Sequence, residues 1–308
     1  MSKNHRPRKG SLAFRPRKRA KRQVPLINFW PKTDKIGLLG FAGYKVGMRS
    51  VSYIDDSESP TKNSQIVQAA TIIETPPMVI YAIRGFKNKQ IVADELTTDQ
   101  KILKELKIKK PKNAKLNPDQ IDDVFVLAYT QPKKCKFGKK KIDKMMIGIG
   151  GKTVQEKFEY AKSILGKEIK ASDVLKEGQY LDVFAITKGK GWQGAVKRFG
   201  ISIQRRKATG KRRHVGTLGA FGYAGVFYTV PMAGQMGYHK RFVRSLRILK
   251  IASPQEVNLK GGYPHYGVPR NECILINGSV PGPQKRLIRF RQAVRKTQIK
   301  QPSAVNIL

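Results

Sequence analysis

Gly189-Lys190-Gly191-Trp192-Gln193-Gly194 has the G-x-G-x-x-G spacing that holds a dinucleotide pyrophosphate, and it follows a strand-like run. That chemistry needs an acidic residue about 20 positions further on to hold a ribose. The next acid in this chain is Glu256. The lysines and Trp192 of the motif suit RNA phosphates and base stacking instead. The histidines, His5, His214, His239 and His265, show no metal-ligand spacing and have no neighbouring cysteine. A catalytic histidine also needs an orienting carboxylate or a nucleophile, and neither is local. His214 follows Lys211-Arg212-Arg213 and His239 precedes Lys240-Arg241, which favours contact with phosphates or bases. Asp122 and Asp123 are adjacent, so on a strand they face opposite sides; they read as solvated surface rather than an acid–base pair. Cys135 lies between lysines, a setting that lowers a thiol pKa, although a plain free thiol is favoured over a reactive one. Cys135 and Cys273 lack partner spacing, which points to a reducing compartment. No catalytic constellation assembles, and no metal or cofactor is expected.

The charge distribution says what the chain does instead. Between Asp182 and Glu256 lie 73 positions with no acidic residue, holding 15 Lys and Arg and 11 Gly. Residues 1–33 carry 11 basic residues and no acid. Residues 34–182, with 27 basic and 19 acidic residues, resemble an ordinary soluble domain. The formal charge of the chain is +41. Self-repulsion on that scale destabilises an isolated compact state, so a permanent polyanionic counter-charge is expected. Phosphates attract Lys and Arg, repel carboxylates, and allow close approach of a glycine backbone. At 40% hydrophobic residues the chain can bury a real core, which excludes a wholly disordered basic protein. No apolar run approaches the ~18 residues of a membrane span, and no signal-peptide core is present, so no membrane partner is expected.

The elements that must carry this surface are mostly strands. Ile36–Val46, Met48–Ile54, Ile66–Thr75 and Met78–Phe86 are short β-branched and aromatic runs between turn signals, the pattern of an antiparallel sheet or barrel. Residues 97–123 read as helical and mixed in charge, with Asp99–Leu106 the best candidate. Thr153-Val154-Gln155-Glu156 is a capping box that opens a second helix running to Leu165, with Gly166 as its stop. Val124–Thr130, Gln179–Thr187, Cys273–Asn277 and Leu287–Phe290 read as strands, and 132–141 as a basic loop. The expected organisation is a basic arm over 1–33 that orders only on its partner, a first part of the barrel over 34–90, and an α-containing insertion over 91–178. The second part of the barrel covers 179–187 and 251–292. It is interrupted by a basic, glycine-rich finger over 188–250, and a basic tail covers 293–308. Trp192, Phe199, Phe221, Tyr223, Phe227, Tyr228, Tyr238 and Phe242 interleave with the basic residues of the finger, as stacking groups or as small local cores.

Several segments resemble the universal large-subunit ribosomal protein three family. They are Asp182–Gly194, Met232-Ala233-Gly234-Gln235-Met236-Gly237, Gly278-Ser279-Val280-Pro281-Gly282-Pro283 and the barrel opening Gly40–Met48. The arm Gly10–Arg19 and Gly262–Gly267 resemble the archaeal and eukaryotic branch. The resemblance runs in order over essentially the whole chain. It implies a mainly β fold with an α insertion: a six-stranded translation-protein-type β-barrel with long basic extensions. It also implies a cytoplasmic, non-enzymatic ribosome constituent, not a homo-oligomer, whose partners are large-subunit rRNA and neighbouring ribosomal proteins. Such a protein binds near the 3′ end of the rRNA, nucleates assembly, and extends toward the peptidyl transferase centre without catalysing. Phe221 stands where many relatives carry a finger-tip tryptophan, and Gln235 matches a glutamine methylated in bacterial relatives. The expected rRNA-contacting residues are Arg6, Arg8, Arg15 and Arg17 of the arm, with Lys188, Lys190, Trp192, Arg205, Arg206, Lys211, Arg212, Arg213, His214, Phe221, Gln235, His239, Lys240 and Arg241. An RNA-modifying enzyme and an architectural DNA-binding protein are the alternatives from the residues alone. The first would need a cofactor pocket or a carboxylate-anchored base, and residues 183–255 contain no carboxylate.

Overall fold

Turn chemistry and apolar alternation divide the chain into ten principal strands and a few short helices. A computed structural model describes residues 7–108, 115–219, 225–295 and 299–308. The strands are β1 (Gly40–Ile54), β2 (Gln65–Glu74), β3 (Met78–Lys87), β4 (Gln90–Leu96), β5 (Asp123–Thr130), β6 (Lys144–Gly150), β7 (Tyr180–Ile186), β8 (Lys240–Ala252), β9 (Cys273–Asn277) and β10 (Leu287–Gln292). The longer helices are α1 (Gln100–Leu106) and α2 (Val154–Ile164), and α3 (Ala195–Phe199) is a single short turn of helix. The chain forms two compact units. One joins the described N-terminal residues up to Arg22 with Ile186–Arg241; the other holds Gln23–Ala185 and Phe242–Leu308.

The larger unit contains a ring of strands. β10 pairs with β7, β7 with β8, β8 with β9, β9 with β2, and β2 with β1. β10 also pairs with β1, through Leu287 opposite Tyr44 to Arg291 opposite Gly40, so the ring closes as a six-stranded antiparallel barrel. Closure removes the open edges that a sheet would otherwise present. Phe41, Leu181, Ile274, Ile276, Ile288 and Phe290 on its strands are buried. The ladder between β1 and β2 shifts register between Lys45 and Gly47, a bulge beside the Val280–Gly282 turn. Lys45 Nζ donates there to Val280 O at 2.6 Å and Gly282 O at 3.2 Å, and Thr71 Oγ1 donates to Gly278 O at 2.7 Å. The Gly278–Pro283 motif is therefore a clasp on the barrel wall.

A second sheet has the order β6-β5-β3-β4, extended by Gly37–Leu38 beside β6. Its strands alternate as a sheet covered on both faces must. Val126 and Ala128 join the barrel's core cluster with Phe158 and Ala161 of α2, whereas Leu127 and Tyr129 pack with Ile102 and Leu106 of α1. The two sheets are pinned by Tyr44, whose hydroxyl donates to Asp143 Oδ2 and shares a hydrogen bond with Thr130 Oγ1, each at 2.8 Å. Burial and Asp143 push the Tyr44 hydroxyl pKa upward, so it stays a donor. Glu74, fully buried, accepts from the Tyr266 hydroxyl, from Arg270 N and Asn271 N at 2.9 Å, and from Asn271 Nδ2 at 2.7 Å.

Both capped helices form where their caps stand. Asp99 accepts from Lys101 N, and Thr153 accepts from Glu156 N. The Glu156 carboxylate, however, reaches Lys152 N at 3.2 Å. Three differences from the sequence reading follow from local chemistry. Residues 132–141 are not wholly loop, because Pro132–Cys135 form a helical turn with Pro at its start. That turn buries Cys135, and burial, followed by the charge of Glu74, pushes the thiol pKa upward rather than letting the lysines lower it. The basic stretch Lys240–Ala252 is a 13-residue strand whose Ile248 and Leu249 are buried in the barrel, with Arg247 held by Asp56 at 2.5 and 2.6 Å.

Residues from Gln23 onward also belong to the barrel unit. Ile27 is buried, Arg289 Nη1 donates to Pro25 O and Arg291 Nη1 donates to Phe29 O, both at 2.7 Å. Arg291 additionally pairs with the buried carboxylate of Asp182. Among the described residues Arg289 bonds to carbonyls, those of Pro25 and Met146, and burial holds its guanidinium down at about 10.

Candidate nucleic-acid interface

The smaller unit contains no Asp or Glu, since neither 1–33 nor 183–255 has one. Its backbone is held by a few local pairings. Trp192–Gln193 and Gly234–Gln235 form a two-residue antiparallel ladder. Lys190 N donates to Met236 O, and Met236 N donates to Gly191 O, both at 2.9 Å. Gly237 has φ +72°, and a Cβ there would lie 2.0 Å from Lys188 O, so the turn requires glycine. This turn is where the G-x-G run and the Met232–Gly237 motif meet. The motif is a structural ladder rather than a pyrophosphate cradle.

Beyond the ladder, α3 ends at Gly200, and the chain enters a bracket closed by Gln204 N donating to Arg212 O at 2.9 Å. Ala208 N to Arg205 O and His214 N to Lys211 O make two further turns. These turns leave Arg205, Arg206, Lys211, Arg212, Arg213 and His214 exposed. Lys188 and Lys190 are exposed too, and Trp192 is 76% exposed, which suits a stacking platform. Arg6 and Phe221 lie outside the described residues.

The arm is not left free. Arg15 lies over the Tyr228 ring at 4.1 Å, Arg17 over Phe199 at 4.8 Å and Arg19 over Tyr238 at 5.7 Å. Arg8 Nη2 donates to Thr229 O at 2.8 Å, and Ala20 N donates to Tyr238 O at 2.8 Å. Arg241 donates to Pro16 O at 3.0 Å and Phe14 O at 3.1 Å. Gly10, with φ +80°, sits where a Cβ would be 2.4 Å from the Phe199 ring. The segment expected to order only on a partner is thus packed against the protein's own aromatic residues.

His239 lies at the centre of this contact and is buried. Gly237 N donates to its Nε2 at 3.0 Å, which places the ring proton on Nδ1, and Nδ1 donates to Lys18 O at 2.9 Å. Both ring nitrogens are therefore engaged inside the protein, so His239 is a positioning residue rather than a phosphate ligand. Gln235 Nε2 likewise donates to Met236 O and Gly237 O. Of the interleaved aromatics, Phe199, Tyr228 and Tyr238 receive the arm, whereas Phe242 stacks on Phe184 at 5.5 Å in the barrel unit. Sequence reasoning missed Arg198, whose Nε donates to Gln235 O at 3.1 Å and whose Nη1 donates to Met232 O at 2.8 Å. Its only signal was its place within the basic run.

Among the described residues no group of acidic, histidine and cysteine side chains is arranged to hold a metal ion. A β-rich unit and an acid-free cationic unit together have the charge pattern that suits a structural protein in contact with a polyanion. The family model for ribosomal protein L3 matches residues 1–115 and 106–306. A protein of Methanothermobacter thermautotrophicus called Large ribosomal subunit protein uL3 is 42% identical over 315 residues, covering 96% of this chain and 94% of that protein. The proteins of the same name from Methanosphaera stadtmanae and Archaeoglobus fulgidus are 45% and 46% identical, covering 100% and 95% of this chain and 97% and 93% of their own lengths. The chain belongs to the ribosomal protein L3 family, in its archaeal form, a family of structural proteins and not of enzymes.

Proposed function

We propose that this protein is a structural constituent of the large ribosomal subunit that binds large-subunit rRNA. The observation that carries this reading is the smaller unit: a compact, carboxylate-free body whose charged side chains are all cations, most of them exposed. Lys188, Lys190, Arg205, Arg206, Lys211, Arg212 and Arg213 meet phosphates, and Trp192 stacks on a base. The barrel packs against neighbouring ribosomal proteins. By its resemblance to the family, the chain binds near the 3′ end of the rRNA, nucleates assembly, and extends toward the peptidyl transferase centre in cytoplasmic ribosomes. Sedimentation of a lysate tests this. Co-migration with large subunits, abolished by RNase, is the expected result. A variant with residues 203–229 replaced by a short Gly-Ser linker is expected to fold yet fail to enter mature subunits. Migration as a free protein, or normal incorporation of the variant, would overturn the reading.

A further inference from the structure

A cavity of about 370 Å³ opens where the N-terminal arm meets the base of the acid-free unit. Arg17 from the arm, Lys188, Lys190, Arg198, His239 and Arg241 line it. The guanidiniums of Arg17 and Arg198 both address one ring, Phe199, at 4.8 and 5.1 Å. Carbonyl bonds fix these cations without neutralising them. Arg198 uses Nε and Nη1 on Gln235 O and Met232 O, Arg241 uses its Nη atoms on carbonyls of Phe14, Pro16 and Lys240, and Arg17 uses Nη2 on Ser11 O. His239, neutral in its tautomer, adds no charge.

The geometry points to a binding site for one phosphodiester group of RNA in this cavity, the phosphate serving as the counter-ion that holds the arm in place. The inference rests on the RNA-binding reading and adds to it a discrete site, a ligand group and a role for Arg198. Like charges this close repel, and no carboxylate of the unit answers them. Burial first, and then the charge of Arg17, lowers the pKa of both Arg198 and Arg241, the sign expected of cations gathered without an anion. A phosphate accepts several charge-assisted hydrogen bonds at once, and planar guanidiniums suit it. The cavity has room for the group with bridging waters. Arm docking and phosphate binding are then coupled, because the arm supplies Arg17 to the site and the anion relieves the repulsion that docking creates.

Hydrogen exchange of the full chain at fixed ionic strength reads this directly, through the segment 11–22 that contains the Ala20 amide bonded to Tyr238 O. Inorganic phosphate is expected to slow exchange there where the same ionic strength of chloride does not, and a six-nucleotide oligouridylate is expected to do so at lower concentration. Arg198→Gln should abolish the effect. Because Arg198 also bonds two carbonyls, Lys190→Gln is the gentler variant, expected to raise the half-maximal concentration about tenfold. Equal protection by chloride, or unchanged protection in both variants, would overturn the site. Protection by inorganic phosphate but not by the oligonucleotide would overturn RNA as the source of the group. Sedimentation with ribosomal subunits is independent of these outcomes, so failure here is distinguishable from failure of the rRNA reading.

Discussion

His239 shows how a side chain picked from a basic cluster acquires a different task in the fold. Beside Lys240 and Arg241 it reads as a phosphate contact, yet its ring joins Gly237 N to Lys18 O. That arrangement requires the neutral ring. Burial, then the charges of Arg241, Arg198 and Arg17, holds its pKa below the ordinary 6.5, against the opposing bond to Lys18 O. A folded-state pKa below the unfolded one means that His239 binds the proton more readily once the arm has left its ring. Docking strength is therefore complete above about pH 6.5 and is lost as pH falls through the folded pKa. Exchange of the Ala20 amide, corrected for its intrinsic rate, should lose protection on acidification from pH 7.5. A profile that stays flat to pH 5 would remove His239 from the docking. Cys135 makes the complementary point, since its flanking lysines are adjacent in sequence but burial decides its chemistry.

Elements were legible where the chain writes its own local signals. Asp99 and Thr153 stand at the caps of α1 and α2, and alternating β-branched residues give β2, β3, β5, β7, β9 and β10 close to their observed ends, whereas the runs read as two strands, Ile36–Val46 and Met48–Ile54, are one continuous β1 from Gly40. Thr153→Ala should cost about 1 kcal/mol, lowering the urea midpoint at unchanged slope. A midpoint unchanged within error would mean that packing of Phe158 and Ala161 alone holds the helix. β8 was illegible because Lys240, Arg241, Arg244, Arg247 and Lys250 advertise a phosphate-binding segment, whereas half of that strand is barrel wall. β6, the run Lys144–Gly150, carries two glycines and follows a lysine-rich loop, and only its pairing with β5 makes it a strand. The arm's docking was illegible for a different reason: it joins residues as far apart as Arg8 and Thr229, and no local pattern encodes contacts at that separation.

At the scale of the whole molecule, charge and core are segregated. The barrel unit holds all 21 acidic residues and the main apolar clusters, and the smaller unit holds none of the acids. Affinity for RNA should therefore be dominated by counter-ion release. If each cation named as a phosphate contact meets one phosphate, the slope of log affinity against log salt is about −5 to −6. Replacing Lys211, Arg212 and Arg213 together by glutamine should make it shallower by about 2 to 3. Filter binding of an rRNA fragment from 100 to 400 mM KCl measures both slopes. A triple variant with an unaltered slope would show that this bracket does not touch phosphate.

The separation of 221 residues between Arg8 and Thr229 also has a meaning in time. Synthesis runs from the N-terminus at roughly 5–20 residues per second, so the arm emerges about ten to forty seconds before the aromatic rings that will receive its arginines. During that interval the nascent chain displays an unanswered polycation. A newborn molecule can therefore capture a polyanion before it has a folded body, and that early encounter competes with closure of the arm onto its own chain.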